Sequence, residues 1–141
     1  MGFFMGRTYQ DVNDLRYGSI MIMTDQDHDG SHIKGLLINF IHNFWPSLLS
    51  INGFLKEFVT PIIKVTKNLK SKSFFTIADY ERFVEKFGVN NCKVKYYKGL
   101  GTSTAAEAKE YFREIDNHVI RFKTLNKPRD DEAINLAFNK A

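Results

Sequence analysis

The chain has 141 residues, 43% of them hydrophobic and 26% charged, which suits one folded domain and excludes a disordered or collagen-like polymer. Its 20 basic and 16 acidic residues leave a net charge of +4, a mild tilt toward an anionic partner that decides nothing alone. The single cysteine, Cys92, excludes an internal disulfide and a cysteine-based zinc site and fits a reducing compartment.

At the start, Gly2 stands where N-myristoylation needs it, but Gly6 replaces the required Ser or Thr and no signal-peptide core follows. Residues 19–24 (SIMIMT) are short, apolar and preceded by Gly18, which predicts a buried strand of a parallel sheet. Asp25 then opens a polar turn. Ser31 is the expected N-cap of a helix in which Ile33, Leu36, Leu37, Phe40, Ile41, Phe44 and Leu48 recur at helical spacing, and Pro46 should bend it or end its regular part. The apolar stretch 33–49 contains Lys34, Asn39, His42, Asn43 and Pro46, so it is amphipathic and does not span a membrane. Residues 58–67 alternate and are rich in β-branched side chains, predicting a strand with Pro61 at an edge or a bulge.

Residues 67–73 read as a basic loop and 73–77 as a strand. A short helix over 79–87 should bury Tyr80, Phe83, Val84 and Phe87 and close on Gly88. Residues 93–97 predict another strand. The Gly-rich loop 98–103 leads into Thr104-Ala105-Ala106-Glu107, a capping box in which hydroxyl and carboxylate satisfy each other's free backbone N–H groups, so a helix should run to about Ile115. A strand over 119–124 and a last helix, marked by Pro128, Asp130, Asp131 and Glu132, complete the order. Strands alternating with helices, with no internal repeat or low-complexity linker, predict an α/β fold.

The chemistry concentrates in Asp25-Gln26-Asp27-His28-Asp29-Gly30, three carboxylates immediately after a predicted buried strand, at the end of a sheet where α/β proteins place ligands. Like charges this close raise one another's pKa values unless a cation sits among them, and magnesium is the natural hard, oxygen-loving partner. The bland alternative is a solvated acidic turn with one Asp capping a helix. An EF-hand fits Asp25, Asp27, Asp29 and Gly30 but fails at its last position, where Leu36 replaces the bidentate Glu. A phosphoaspartate enzyme, with Asp25 as nucleophile and Asp27 as acid, competes on local sequence. His28 and His32 read as surface groups or as groups beside the site rather than metal ligands.

Longer words narrow this choice: Leu15-Arg16-Tyr17-Gly18, then IMIMTDQDHDGSHIKGLL over 20–37, then Trp45-Pro46-Ser47-Leu48-Leu49, then YYKGLGTST over 96–104. In that order, and through to Asp130-Asp131-Glu132-Ala133-Ile134, the chain closely resembles eukaryotic type IIA DNA topoisomerases over essentially its whole length. The resemblance implies a TOPRIM-like (Rossmann-like), partly parallel sheet flanked by helices and incomplete at its N-terminal side. Residues 1–57 would be the C-terminal part of the TOPRIM core with the D-x-D-x-D loop. Residues 58–141 would be the rest of the TOPRIM region and the lead-in to a winged-helix region. It also implies that Asp25 and Asp27 are magnesium ligands and Asp29 a further acid of the site, with the family's Glu-Gly-Asp-Ser motif lying before this segment.

No sequence around Tyr9, Tyr17, Tyr80, Tyr96, Tyr97 or Tyr111 resembles the motif of the family's nucleophilic tyrosine, and that tyrosine and the ATP-using region are expected outside the segment. The segment alone is therefore expected not to cleave DNA. Lys98 follows the basic strand of Lys93 and Lys95 and stands just before a helix start, where phosphate is favoured; spacing alone gives a tight turn with solvent-facing lysines. The resemblance lifts only Lys98 to a DNA-backbone contact; Lys140 is a weaker candidate, and His32 and Lys34, just beyond the acidic loop, are candidates for the same phosphates, Lys34 equally as a solvated helix residue. The implied partners are double-stranded DNA and a second subunit, with no membrane, in the nucleus. The alternatives are a magnesium-dependent phosphoaspartate phosphotransferase and a noncatalytic nucleic-acid-binding module.

Overall fold

The computed structural model describes residues 2–97, 99–125 and 128–138, so Lys98 and Lys140 lie outside the described residues. In chain order the elements are β1 (Ile20–Met23), α1 (His28–Phe44), α2 (Pro46–Leu49), β2 (Leu55–Phe58), β3 (Ile63–Lys67), β4 (Lys70–Phe74), α3 (Ile77–Phe87), β5 (Lys93–Tyr96), α4 (Ala105–Arg113), β6 (Val119–Arg121) and α5 (Arg129–Phe138). They form two small sheets flanked by helices, a mixed α/β architecture.

The first sheet has the order β1-β2-β6. β1 runs parallel to β2 from Ile20↔Leu55 to Met23↔Phe58, and β6 lies antiparallel on the other side of β2. The β1–β2 crossover is made by α1 and α2, the helical connection that a parallel pair needs. The core beneath it buries Tyr9, Ile22, Ile41, Trp45, Leu48, Leu49, Phe54 and Leu55. The N-terminal segment is tied to this core by its polar tips: the Trp45 indole N–H donates to the Phe4 carbonyl at 2.9 Å, and the Phe4 N–H donates to the Tyr9 hydroxyl at 2.9 Å.

The second sheet is antiparallel, in the order β4-β3-β5. Its core of Ile63, Val65 and Phe74 is covered by Tyr80 and Phe83 from α3, with the Phe74 and Phe83 rings 5.1 Å apart. On the opposite face Lys64 and Lys95 are direct cross-strand neighbours, an arrangement of like charges that destabilises a sheet unless it is answered. α4 answers it with two acids one turn apart: Lys64 bonds Glu110 at 3.1 Å and Lys95 bonds Glu107 at 2.8 Å.

Several sequence expectations change at the boundaries. The first helix is capped by Asp27, not Ser31, because the Asp27 carboxylate accepts the Gly30 N–H at 2.7 Å, while the Ser31 hydroxyl donates back to the Asp27 carbonyl. Of its apolar stripe, Ile41 is buried, whereas Ile33, Leu36, Leu37, Phe40 and Phe44 are exposed. Pro46 opens α2 after a break at Trp45. The single strand expected over 58–67 is two strands of different sheets: Phe58 ends β2, Ile63 begins β3, and the buried Pro61 sits in the passage between them.

The basic stretch taken as a loop is largely β4, entered through a two-residue turn at Asn68 and Leu69 with φ of 48° and 66°. Both central residues having positive φ is the hairpin geometry whose twist matches the strands. α3 begins earlier than expected, at Ile77, with Thr76 as N-cap; it closes on Gly88 at φ 66°, but leaves Phe87 66% exposed. The expected capping box is present at Thr104 and Glu107, and α4 ends at Arg113 before a 3-10 turn. Among the described residues no helix is long and apolar enough to cross a membrane.

Candidate metal centre and its flanking loop

The acidic loop leaves the carboxyl end of β1, beside the end of its parallel neighbour β2. Its backbone is folded tightly. A Cβ at Gly30 would lie 2.0 Å from the Asp25 carbonyl oxygen, so only glycine allows the first turn of α1 to pack on that peptide. The Gln26 amide reaches back to the carbonyls of Thr24 (3.3 Å) and Phe58 (3.5 Å), fastening the loop over both strand ends. The buried Thr24 hydroxyl oxygen has no hydrogen-bond partner among the described residues.

The three acids are all exposed but not equivalent. Asp25 accepts, through Oδ1, the backbone N–H of Leu100 at 2.7 Å, a contact between residues 75 positions apart. Asp27 commits Oδ1 to the cap of α1. Asp29 lies in the first turn of that helix, where a carboxylate is favoured by the helix dipole. Thus Asp25 and Asp27 each keep Oδ2 without a hydrogen bond among the described residues.

Among those residues no group of three or more His, Cys, Asp or Glu is arranged to hold a metal by itself. Two carboxylates with open oxygens at one loop nevertheless suit a hard cation as part of a ligand set completed from elsewhere. His28 opens α1 and is exposed, and the exposed His32 stacks on Phe138 of α5 with ring centroids 6.5 Å apart. Lys34 is paired with Glu57 at 2.5 Å, and this pairing on β2 was not visible in the sequence.

The loop that meets Asp25 follows β5 and is built by α4. Glu107 accepts the Tyr97 hydroxyl (2.5 Å), the Lys95 ammonium (2.8 Å) and the Thr104 backbone N–H (2.8 Å), joining the residues on either side of the turn. Burial alone would raise the Glu107 pKa, but the bonds from Lys95, Thr104 and Tyr97 hold it down at about 2. Burial first, and then the bond to the Glu107 carboxylate, push the Tyr97 phenol upward. The capping box was legible in the sequence and this clasp was not; its local signal was Lys95 and Tyr97 just before the Gly-rich turn.

Residues 58–141 match the family model for the C-terminal associated domain of TOPRIM. The chain belongs to that family. It is 61% identical over 130 residues to a DNA topoisomerase 2 of Plasmodium falciparum, covering 92% of this chain and 9% of that protein. It is 54% identical over 144 residues to human DNA topoisomerase 2-beta, covering 99% of this chain and 9% of the relative. A Dictyostelium discoideum protein named DNA topoisomerase 2, mitochondrial, is 59% identical over 137 residues, with 94% and 10% covered. The crystal structure of the Plasmodium falciparum topoisomerase II DNA-binding, cleavage and re-ligation domain superposes with a TM-score of 0.93 at 57% identity, covering 99% of this chain and 19% of that one. The resemblance to topoisomerase II thus holds over nearly the whole TOPRIM_C-family chain, which spans about a tenth of the length of these relatives.

Proposed function

We propose that this chain is the part of an ATP-dependent type IIA DNA topoisomerase that holds magnesium for reversible double-strand cleavage and religation. The single observation that carries the reading is the D-x-D-x-D loop at the end of a parallel strand, in a chain with a TM-score of 0.93 to a topoisomerase II cleavage domain. Asp25 and Asp27 would be the ligands, each offering Oδ2, and Asp29 would add negative charge from the first turn of α1. The remaining ligand would come from outside this chain. When bound, magnesium supplies Lewis-acid neutralisation of the charge on the phosphate and the departing sugar oxygen.

The chain's own residues do the positioning. Gln26 ties the loop to the Thr24 and Phe58 carbonyls, Gly30 packs on the Asp25 peptide, Asp27 joins the site to α1, and the turn after β5 abuts Asp25. The tyrosine nucleophile and the ATP-using region belong to other parts of the full-length protein. Its substrate is double-stranded DNA, with Lys98, Lys140 and His32 as backbone contacts, and it works as a homodimer in the nucleus.

The test is DNA cleavage and religation by the full-length protein carrying Asp25→Ala and Asp27→Ala together. Both reactions should disappear while DNA binding persists. Unchanged magnesium-dependent cleavage in the double variant would leave the loop no role as a metal site.

A further inference from the structure

We infer that the Gly99–Leu100 segment is the positioning element for the Asp25 carboxylate, and that Glu107 is the side chain that holds this segment in place. The inference deepens the proposed magnesium site and rests on that reading for its consequence in cation binding. Its structural half stands independently.

Asp25 needs an external partner. Its own loop packs Gly30 on the Asp25 peptide and ties Gln26 to the neighbouring Thr24 carbonyl, but the Asp25 side chain is exposed. The hydrogen bond that orients the carboxylate comes from Leu100 N–H, at 2.7 Å. The neighbouring Gly99 gives the more telling sign. Its φ is 173°, extended backbone that any residue adopts, so glycine is not required there for conformation. It matters for space: a Cβ would lie 2.5 Å from Asp25 Oδ2, 2.7 Å from Cγ and 2.9 Å from Oδ1, so any larger residue would push the exposed carboxylate out of this position. The whole carboxylate rests against the Gly99 α-carbon. Gly101, two residues on in the same Gly-rich turn, would meet nothing within 4 Å. The two glycines therefore do different work, a distinction the motif alone conceals.

The segment is held from behind. The Thr102 hydroxyl donates to the Gly99 carbonyl at 2.7 Å, and Thr102 N–H reaches the same oxygen at 3.1 Å. Beyond them, Glu107 ties Tyr97, before the turn, to Thr104, after it. Glu107 touches neither Asp25 nor any reacting group, so it is a positioning residue. Its chain of influence runs from the Glu107 clasp to the turn, from the turn to Leu100 N–H, and from there to Asp25 Oδ1. With Oδ1 so engaged, Oδ2 is the oxygen left for a cation. Partners that orient a metal ligand commonly govern affinity by about 10- to 100-fold.

The experiment compares Gly99→Ala, Gly101→Ala, Glu107→Gln and Asp25→Ala in the full-length protein. Two readouts are taken without DNA: magnesium affinity by calorimetry and amide hydrogen exchange at Leu100. Gly99→Ala should weaken magnesium roughly 10- to 100-fold and speed Leu100 exchange, Glu107→Gln should shift both less, and Gly101→Ala should change neither. Equal magnesium affinity in Gly99→Ala and Gly101→Ala would overturn the inference. The Asp25→Ala arm separates it from the reading beneath it. Removing the acceptor should expose Leu100 to exchange even if no magnesium binds, so unchanged Leu100 exchange defeats the positioning claim by itself. Magnesium binding that is indifferent to Asp25→Ala, with Leu100 exchange accelerated, would instead defeat the metal site and leave the structural half standing.

Discussion

The first sheet rests on a thick aromatic core of Tyr9, Trp45, Phe54 and their aliphatic neighbours, whereas among the described residues the second has a small buried core of Ile63, Val65 and Phe74 and relies on charge for its other face. The contrast extends to their outer surfaces. In the first, β1 is an edge strand with Met21 and Met23 exposed, and α1 turns Ile33, Leu36, Leu37 and Phe40 outward. In the second, paired lysines meet paired glutamates of α4, leaving that face closed by specific bonds. The first sheet thus carries the acidic loop, and the second acts as a braced support whose last strand delivers a turn to that loop. The two regions meet at Asp25.

Core truncation should have the largest effect. Leu48→Ala in the first core and Ile63→Ala in the second, both at 0% exposure, should each cost about 2–5 kcal/mol. Segment-resolved hydrogen exchange of the full-length protein should then show Leu48→Ala loosening β1 and β2 first, and Ile63→Ala loosening β3 to β5 first. Equal loosening everywhere in both variants would mean that the sheets are one cooperative unit.

A smaller effect sharpens the role of charge. Glu107→Ala should cost about 2 kcal/mol, from loss of a cap and of bonds to a charged group. The Glu107 pKa is depressed from an ordinary 4.5 to about 2, so its contribution is complete above pH 4.5 and disappears as the pH falls toward 2. Acid unfolding of Glu107→Ala should lack that part of the pH dependence. A wild-type-like acid profile would mean that the clasp carries no charge-dependent stability.

The smallest effect is at the hairpin tip, where Leu69 is fully exposed at φ 66°. Leu69→Gly should raise stability by roughly 0.5–1 kcal/mol, because a branched side chain is disfavoured in that region and this one has no packing to lose. It should appear as a small rise in Tm with no change at the acidic loop.

What the sequence made legible were features written in neighbouring residues: the helical spacing of α1, the Thr104 and Glu107 capping box, and Gly88 closing α3. What it hid depended on distant residues. Residues 58–67 read as one strand because β-branched side chains continue through Val59, Thr60, Ile62 and Ile63, and nothing local shows that the chain changes sheets at Pro61. β4 hid behind its lysines, since hydrophobic alternation fails in a strand whose buried contribution is mainly Phe74. Ser31 looked like the cap because the acids before it were read as a ligand loop, yet Asp27 serves the helix directly. At the site, three acids in a row were plain, but the contact between Gly99 and Asp25 and the pairing of Lys34 with Glu57 required the fold.

The most direct measurement is the magnesium dependence of DNA cleavage by the full-length protein with Asp27→Asn. Asparagine caps a helix about as well as aspartate, so α1 should stay intact while the carboxylate charge is removed. With Asp27 a magnesium ligand, the thermal transition should be unchanged while the magnesium needed for half-maximal cleavage rises by more than about tenfold. A wild-type magnesium dependence with α1 intact would contradict it, leaving Asp27 as a helix cap and nothing more.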